Sequence, residues 1–563
     1  MSDPQNKKFN KIFSAGRSKE FTYMLSEPFT EEMKRIRFDE LSSSGIDFAY
    51  KLEGLKSKEA KPKDLKVNAK YENVFKESHE FYSRYTLEKN SPSLGLIVTN
   101  IDLSRIQKEN DNPVLWQMGP ERIRLALSQR ALFFDQNQND SVHENLQKIE
   151  NNKIKFIPRQ NKRSQTVDEI LGIKKPGSPA LFTPALSELG YKKISTSGII
   201  SRRIILEKGL FNIIGKYPRK ILGLGAMPPV TGWRDTLITS AIGHMVSFIP
   251  RSSIFAFDIS KRIKLGQEVK GVINSLSLPE LWKQRVLRNI GAALGAEDPQ
   301  QELKMATRLF QEAGIALFRI YTIGSDTRVI KTAKLIRQKL GSQIEIFVGQ
   351  IADKKQAEKL IHPDIAVDGL VYGHGGGQQC TSAINGMAIT TLEDIYEITL
   401  DKRFNKTSIL VEGGVGRSIG TALILGIDCC LGNQKSVRGT IETGNLFVQD
   451  LEGKICQPYP GTASPVTQII ESIDPKLRVR RLDAAGRTYT SEGKPGLMYY
   501  EDKAGSMAFW INEYLRHAAR PLADMGVTNI YMLRTLLRKN PHEYLRIMSE
   551  KTQYLSEPHW NIH

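Results

Sequence analysis

From about residue 180 onward, short apolar runs alternate with helix-length amphipathic segments, and this alternation restricts the possible folds more than any other feature of the chain. The apolar runs are 220–226, ended by Met227-Pro228-Pro229, then 246–249, 314–322, 344–351, 365–373, 407–412 and 429–431. Between them lie segments of helical character at 234–245, 300–313, 326–340, 354–361, 392–400 and 418–425. Strands that alternate with helices pair in parallel through βαβ units. Roughly eight such units predict an α/β protein built as a closed (β/α)8 barrel, a fold whose chemistry sits on the loops after the strand C-termini.

A single core stops growing near about 250–300 residues, so 563 residues predict more than one domain. Residues 1–180 are poorly patterned. Charged segments at 55–70 and 151–166 flank a candidate strand at 94–102 and a candidate helix at 120–132. This region is expected to be an accessory α/β domain, a partner-binding arm or a wrap around its neighbour, and 181–563 to be the barrel with a C-terminal flap and tail. The net charge of +19 favours polyanions. The basic residues are nevertheless spread along the chain without a long run, no nucleic-acid-binding motif accompanies them, and a solvated basic surface also accounts for them. Cys380, Cys429, Cys430 and Cys456 show neither a CxxC pair nor zinc-ligand spacing, which argues against a disulfide framework or structural metal and for a reducing compartment. No apolar stretch approaches the ~18–20 residues of a membrane span, and the N-terminus lacks an apolar signal core, so a cytoplasmic, membrane-free protein is expected.

The stretch Gly373-His374-Gly375-Gly376-Gly377-Gln378-Gln379-Cys380-Thr381-Ser382 follows the run 365–372 and ends in a thiol at the mouth of a strand. Glycines admit close backbone approach, and a thiol among polarised backbone N–H groups is favoured as thiolate, which is the layout of a cysteine nucleophile. A buried structural cysteine is the plainer alternative. Cys429 and Cys430 sit in a strand pattern and read as core. His374 is a candidate acid or base within the loop.

The loop resembles the Gly-x-Gly-x-Gly-Ser-x-Cys-x-Thr loop of the IMP dehydrogenase/GMP reductase family, with Gln378 and Ser382 at the Ser and Thr positions. Further segments are similar in the same order. Gly291-Ala292-Ala293-Leu294-Gly295 resembles a GAAVG strand and Leu410-Val411-Glu412-Gly413-Gly414-Val415 a DGGI segment. Leu431-Gly432-Asn433 resembles the LGS phosphate loop and Tyr459-Pro460-Gly461-Thr462-Ala463-Ser464 a YRGMGS segment. Ser491-Glu492-Gly493-Lys494 matches the reductase SEGK, and Ser556-Glu557-Pro558-His559 resembles the C-terminal ESHPH. The short stretch between Ser253 and Gly291 leaves no room for inserted regulatory domains.

The resemblance implies an NAD- or NADP-dependent oxidoreductase acting on a purine nucleotide, assembled as a homotetramer. It implies catalytic roles for Cys380, Glu492 and Ser382, and nucleotide contacts from Met227, Gln378, Glu412, Gly413, Gly414, Gly432, Asn433, Tyr459, Gly461 and Thr462. It places Thr322, Gly324, Gly373 and Gly375 on the cofactor side. Potassium would be held by carbonyls of Gly373, Gly375 and Cys380 with Glu557 of a neighbouring subunit. The chain departs from the pattern where Ile320 replaces the cofactor-ribose aspartate, Gln350 an asparagine and Val371 an arginine. The 476–481 segment also lacks a clear match to the flap's Arg-Tyr pair. These departures leave two other readings open: a redox-inactive nucleotide-binding or scaffolding protein on the same barrel, and an enzyme of specialised metabolism with a different substrate.

Overall fold

The computed structural model describes residues 136–151, 159, 189–191, 198–207, 210–227, 231, 234–251, 259–275, 279–321, 327–351, 353–373, 392–413, 418–432, 440, 442, 448–449, 455–459, 496–499, 507–538 and 544–547. In chain order the strands are β1 (Leu189–Tyr191), β2 (Phe211–Ile214), β3 (Tyr217–Lys220), β4 (Leu222–Gly223), β5 (Ser247–Ile249), β6 (Ile290–Leu294), β7 (Leu317–Tyr321) and β8 (Glu345–Gly349). They continue with β9 (Gly369–Tyr372), β10 (Ser408–Glu412), β11 (Cys429–Leu431), β12 (Val448–Gln449), β13 (Ile455–Tyr459), β14 (Gly496–Tyr499) and β15 (Leu545–Ile547). The helices are α1 (Gln136–Asn151), α2 (Arg202–Glu207), α3 (Arg234–Ile242), α4 (Ile259–Asn274), α5 (Glu280–Leu287) and α6 (Pro299–Ala313). After them come α7 (Thr327–Leu340), α8 (Lys354–Leu360), α9 (Leu392–Leu400), α10 (Ile419–Leu425), α11 (Met507–Asp524) and α12 (Ile530–Leu537).

Strands β4 to β11 form one eight-stranded sheet in which every paired neighbour runs parallel. Leu224 N–H donates to the Val246 carbonyl at 2.8 Å, which joins the β4 edge to the residue leading into β5 and brings the sheet round on itself. This is the expected (β/α)8 barrel. Strands β6, β8 and β10 are buried at every position, as parallel strands covered on both faces must be. Alternation along each strand divides the apolar residues into two sets. Val246, Phe248, Leu317, Phe347, Val371, Leu410, Cys429 and Leu431 pack together inside the barrel, whereas Ala292, Phe318, Ile320, Ile346, Val348, Leu370, Ile409 and Cys430 join the larger core under the helices.

Local signals fix the helices between the strands. Asp298 caps α6 by accepting from the N–H groups of Gln300 and Gln301, Pro299 occupies its first turn, and Gly314 ends it in the left-handed region at φ 73. Asp353 caps α8 by accepting from Gln356 N–H. The segment between β5 and β6 holds α4 and α5, consistent with a barrel that receives no domain insertion there.

The hairpin β2–β3 closes the N-terminal end of the barrel. Ile214 enters the interior cluster, and Gly215 N–H donates to Ser408 Oγ at 2.8 Å. Lys216 N–H donates to Glu345 Oε1 at 2.8 Å. Gly215 has φ 66, and a Cβ there would stand 2.1 Å from Glu345 Oε1, so the tip of the plug requires glycine. Arg219, fully buried, pairs with Glu345 at 2.6 Å and also donates to the carbonyls of Ile214 and Arg288. A second buried anion, Asp428 at the base of β11, accepts from Arg159, Arg534, Asn212 and Ile409 N–H. It ties the plug, β10 and α12 to one point.

Helix α1 lies within the sequence assigned to the N-terminal accessory region, and it packs on the same end of the barrel. His143 stacks on Trp282 of α5 with centroids 3.9 Å apart and meets His244 edge-on at 4.9 Å. Glu150 pairs with Arg285 at 2.6 Å. The predicted strand 94–102 and helix 120–132 lie outside the described residues.

Candidate functional site

The strand C-termini converge at the opposite end from the plug, and the described part of the candidate site stands on four of them. Glu412 is the last residue of β10 and Gly413 follows it. Gly373 follows β9, and there the chain has φ 119 with room for a Cβ only 1.8 Å from the Glu412 carbonyl oxygen. Glycine is therefore compulsory where the Cys380 loop leaves the barrel, and the loop's first residue is held against the backbone of Glu412. Met227 follows β4, half-buried, and its carbonyl accepts from Thr231 N–H at 2.8 Å. Gly432 follows β11, where its N–H extends the barrel ladder to the Gly223 carbonyl at 2.9 Å. Tyr459 is the last residue of β13 and pairs across the β12–β13–β14 sheet with Gly496.

Cys380, Ser382, Gln378, Gly375, Gly414, Asn433, Gly461, Thr462, Thr322, Gly324, Glu492 and Glu557 lie outside the described residues, as does His374. The residues that can be placed are thus the rim from which those segments depart. Among the described residues, no group of three or more His, Cys, Asp or Glu side chains gathers to hold a metal ion. Cys429 and Cys430 are wholly buried, one in the barrel interior and one beneath the helices, and burial pushes both thiols up and away from thiolate. They are packing residues, as the strand pattern indicates.

The polar centre of the mouth is a group that the sequence pattern alone does not reveal. Arg319 sits on the inward face of β7, fully buried, and its Nη2 donates to Glu412 Oε2 at 2.5 Å. Gln350, the residue after β8, donates from Nε2 to the same oxygen at 2.9 Å. The guanidinium lies 4.6 Å from the Tyr321 ring centroid and 5.8 Å from that of Phe248. Arg319 Nε and Nη1 and Gln350 Oε1 are buried without a hydrogen-bond partner among the described residues. Each such unmade bond costs about 1–3 kcal/mol, so the cluster holds donors and an acceptor that are complete only with another group present.

The resemblance sets Ile320 at the position of the family's cofactor-ribose aspartate, but the structure does not bring that residue to the mouth. Strand alternation turns it away from the barrel axis into the helix-facing core, where it is fully buried. The described residues of β7 supply no acid to the mouth, and Arg319 supplies a cation instead. Within the apolar run Leu317-Phe318-Arg319-Ile320-Tyr321, a charge on a strand buried on both faces is itself a signal, because it demands an anionic partner. That partner is 93 residues away in sequence.

A family model described as IMP dehydrogenase / GMP reductase domain matches residues 139–559. A search among curated proteins finds no match. The match begins within α1 and runs through the whole barrel and both C-terminal helices, and the described candidates Met227, Gly373, Glu412, Gly413 and Gly432 stand at the C-terminal ends of four of the eight parallel strands. On that extent of agreement, the chain belongs to the IMP dehydrogenase/GMP reductase domain family.

Proposed function

We propose that the protein is an oxidoreductase of the IMP dehydrogenase/GMP reductase type that acts on a purine nucleotide, or a related heterocycle, through a covalent adduct on Cys380. The observation that carries the reading is the geometry of Gly373. A compulsory glycine seats the start of the Gly-rich Cys380 loop against Glu412 at the C-terminal mouth, where this fold does its chemistry. Family membership supports oxidoreductase-type chemistry.

In this reading the Cys380 thiolate adds to C2 of the base, and either a hydride or ammonia leaves that carbon. Cleavage of the carbon–sulfur bond, by water after oxidation or by hydride delivery after deamination, then returns the thiol. Glu492 moves the accompanying proton, with Ser382 beside the thiol. Gly413, Gly414, Gly432, Asn433, Gln378, Tyr459, Gly461 and Thr462 surround the phosphate and sugar, while Met227 borders the base. A nicotinamide cofactor supplies the two-electron partner when bound, next to Thr322, Gly324, Gly373 and Gly375. Potassium on the loop carbonyls and Glu557, a homotetramer, a cytoplasmic setting and an accessory role for residues 1–180 complete the proposal. Among the described residues no helix is long and apolar enough to cross a membrane.

The test is incubation of the purified protein with IMP, XMP and GMP in the presence of NAD or NADPH, followed at the reduced-nicotinamide absorbance band. NAD reduction with IMP marks a dehydrogenase, and NADPH oxidation with GMP a reductase. No change with any pair, together with tight nucleotide binding, favours a redox-inactive binding protein, a reading supported by the lack of an acid among the described residues of β7.

A further inference from the structure

The buried cluster at the barrel mouth is unfinished in a specific way. Gln350 donates its amide N–H to Glu412, which leaves Oε1 as an acceptor, and Arg319 retains Nε and Nη1 as donors after Nη2 is committed to the same carboxylate. Both side chains meet at Glu412 Oε2, so the spare donors and the spare acceptor lie on neighbouring groups. Gln350 directly follows β8 and Glu412 ends β10, which puts the cluster at the catalytic end of the barrel.

Charge decides what completes it. Arg319 and Glu412 together are neutral. An anionic ligand group would leave net negative charge in a buried site, whereas a neutral group offering one carbonyl and one adjacent N–H satisfies both sides without adding charge. We propose that Arg319 and Gln350, positioned by Glu412, form a recognition subsite for the amide edge of a neutral ligand group, with Arg319 donating to its carbonyl oxygen and Gln350 Oε1 accepting from its N–H. This deepens the proposed function and rests on it. The same donor–acceptor edge occurs in the lactam of an oxidised purine and in the carboxamide of a nicotinamide. In this account Glu412 holds Arg319 as well as bordering the ribose, so the ribose carboxylate of the family has acquired a second task here.

The experiment measures dissociation constants by calorimetry on the full chain for two matched pairs of probes. One pair is IMP and purine riboside 5′-monophosphate, which lacks the lactam; the other is nicotinamide mononucleotide and nicotinic acid mononucleotide, which replaces carboxamide by carboxylate. The wild type is expected to prefer the amide-bearing member of one pair by about tenfold or more. That pair identifies the source of the edge. Gln350→Met removes the acceptor at similar volume and is expected to reduce the preference to below about threefold. Arg319→Lys, which keeps the charge beside Glu412, is expected to do the same, with thermal melts confirming that both variants fold. Equal binding within both pairs, or a preference that survives in both variants, overturns the inference and leaves the nucleotide reading standing. If none of the four probes binds at millimolar concentration, the nucleotide reading falls and the subsite falls with it.

Discussion

Substitution of Glu345 by alanine tests the claim that a buried ion pair locks the barrel's N-terminal plug. Glu345 opens β8 and accepts from Arg219 Nη1 at 2.9 Å, Arg219 Nη2 at 2.6 Å and Lys216 N–H at 2.8 Å, with both members of the pair almost wholly buried. Removing the carboxylate leaves a guanidinium in the barrel base with only the carbonyls of Ile214 and Arg288 and Asn289 Oδ1 as acceptors. Breaking one half of such a pair costs about 3–5 kcal/mol, because the partner's charge stays buried without compensation. At roughly 2 °C per kcal/mol for a domain of this size, Tm should fall by about 6–10 °C. The double variant Arg219→Met with Glu345→Leu removes both charges and keeps apolar volume, so it should recover most of that loss. Chemical denaturation and calorimetry of the wild type, Arg219→Met, Glu345→Leu and the double variant give the coupling directly, beside Glu345→Ala. A single-variant loss below about 1 kcal/mol, or a double variant as unstable as the sum of the singles, would refute the lock.

Three further outcomes are expected. Gly373→Ala meets both a positive φ and a 1.8 Å approach to the Glu412 carbonyl, so the rim must shift; stability should fall by at least about 2 kcal/mol in denaturant titration, and nucleotide affinity should fall with it. Asp428→Asn removes the charge shared by Arg159 and Arg534 and is expected to cost about 3–5 kcal/mol, whereas a cost under about 1 kcal/mol would show that the surrounding carbonyls satisfy the two arginines by themselves. Acidification should weaken the α1 contact. Burial, aided by Arg285, lowers His143 to about 3, and burial with His143, Lys220 and Arg285 holds His244 well below its usual range. Their neutral forms are favoured by folding, so this stability is complete above about pH 6.5 and is lost as pH falls below it, down to about 3 for His143, at up to about 1.4 kcal/mol per pH unit for each histidine. Melting curves between pH 7 and 4 should be shallower in His143→Phe, and an identical slope would remove His143 from the account.

The barrel was legible because its strands are buried on both faces and its helices on one. Continuous apolar runs then stand out against amphipathic segments, and the helix predicted at 300–313 differs from α6 only by Pro299, which preorganises the first turn. The segment predicted as helix at 234–245 stops earlier, at Ile242, since Gly243 follows and His244 adopts φ 56 to turn the chain into β5. The hairpin β2–β3 was not legible. Tyr217-Pro218-Arg219-Lys220 reads as polar, and its burial depends on Glu345, distant in sequence. The same limit hid the mouth cluster: Glu412 and Gln350 were named separately from motif positions, but only the fold brings them onto one oxygen with Arg319. Motif matching gave Ile320 as a lost acid, and strand alternation shows that Arg319 is the residue of that pair which faces the site.

The covalent role of Cys380 is the central claim, and intact-protein mass spectrometry with peptide mapping tests it most directly. Protein incubated with IMP and NAD, or with GMP and NADPH, and quenched in acid should carry a nucleotide-sized mass increment on the peptide containing Cys380. The increment and the turnover should both be absent in Cys380→Ser, while its melting temperature stays within a few degrees of wild type. An unmodified Cys380 in the presence of turnover, or turnover that persists in Cys380→Ser, would contradict the account.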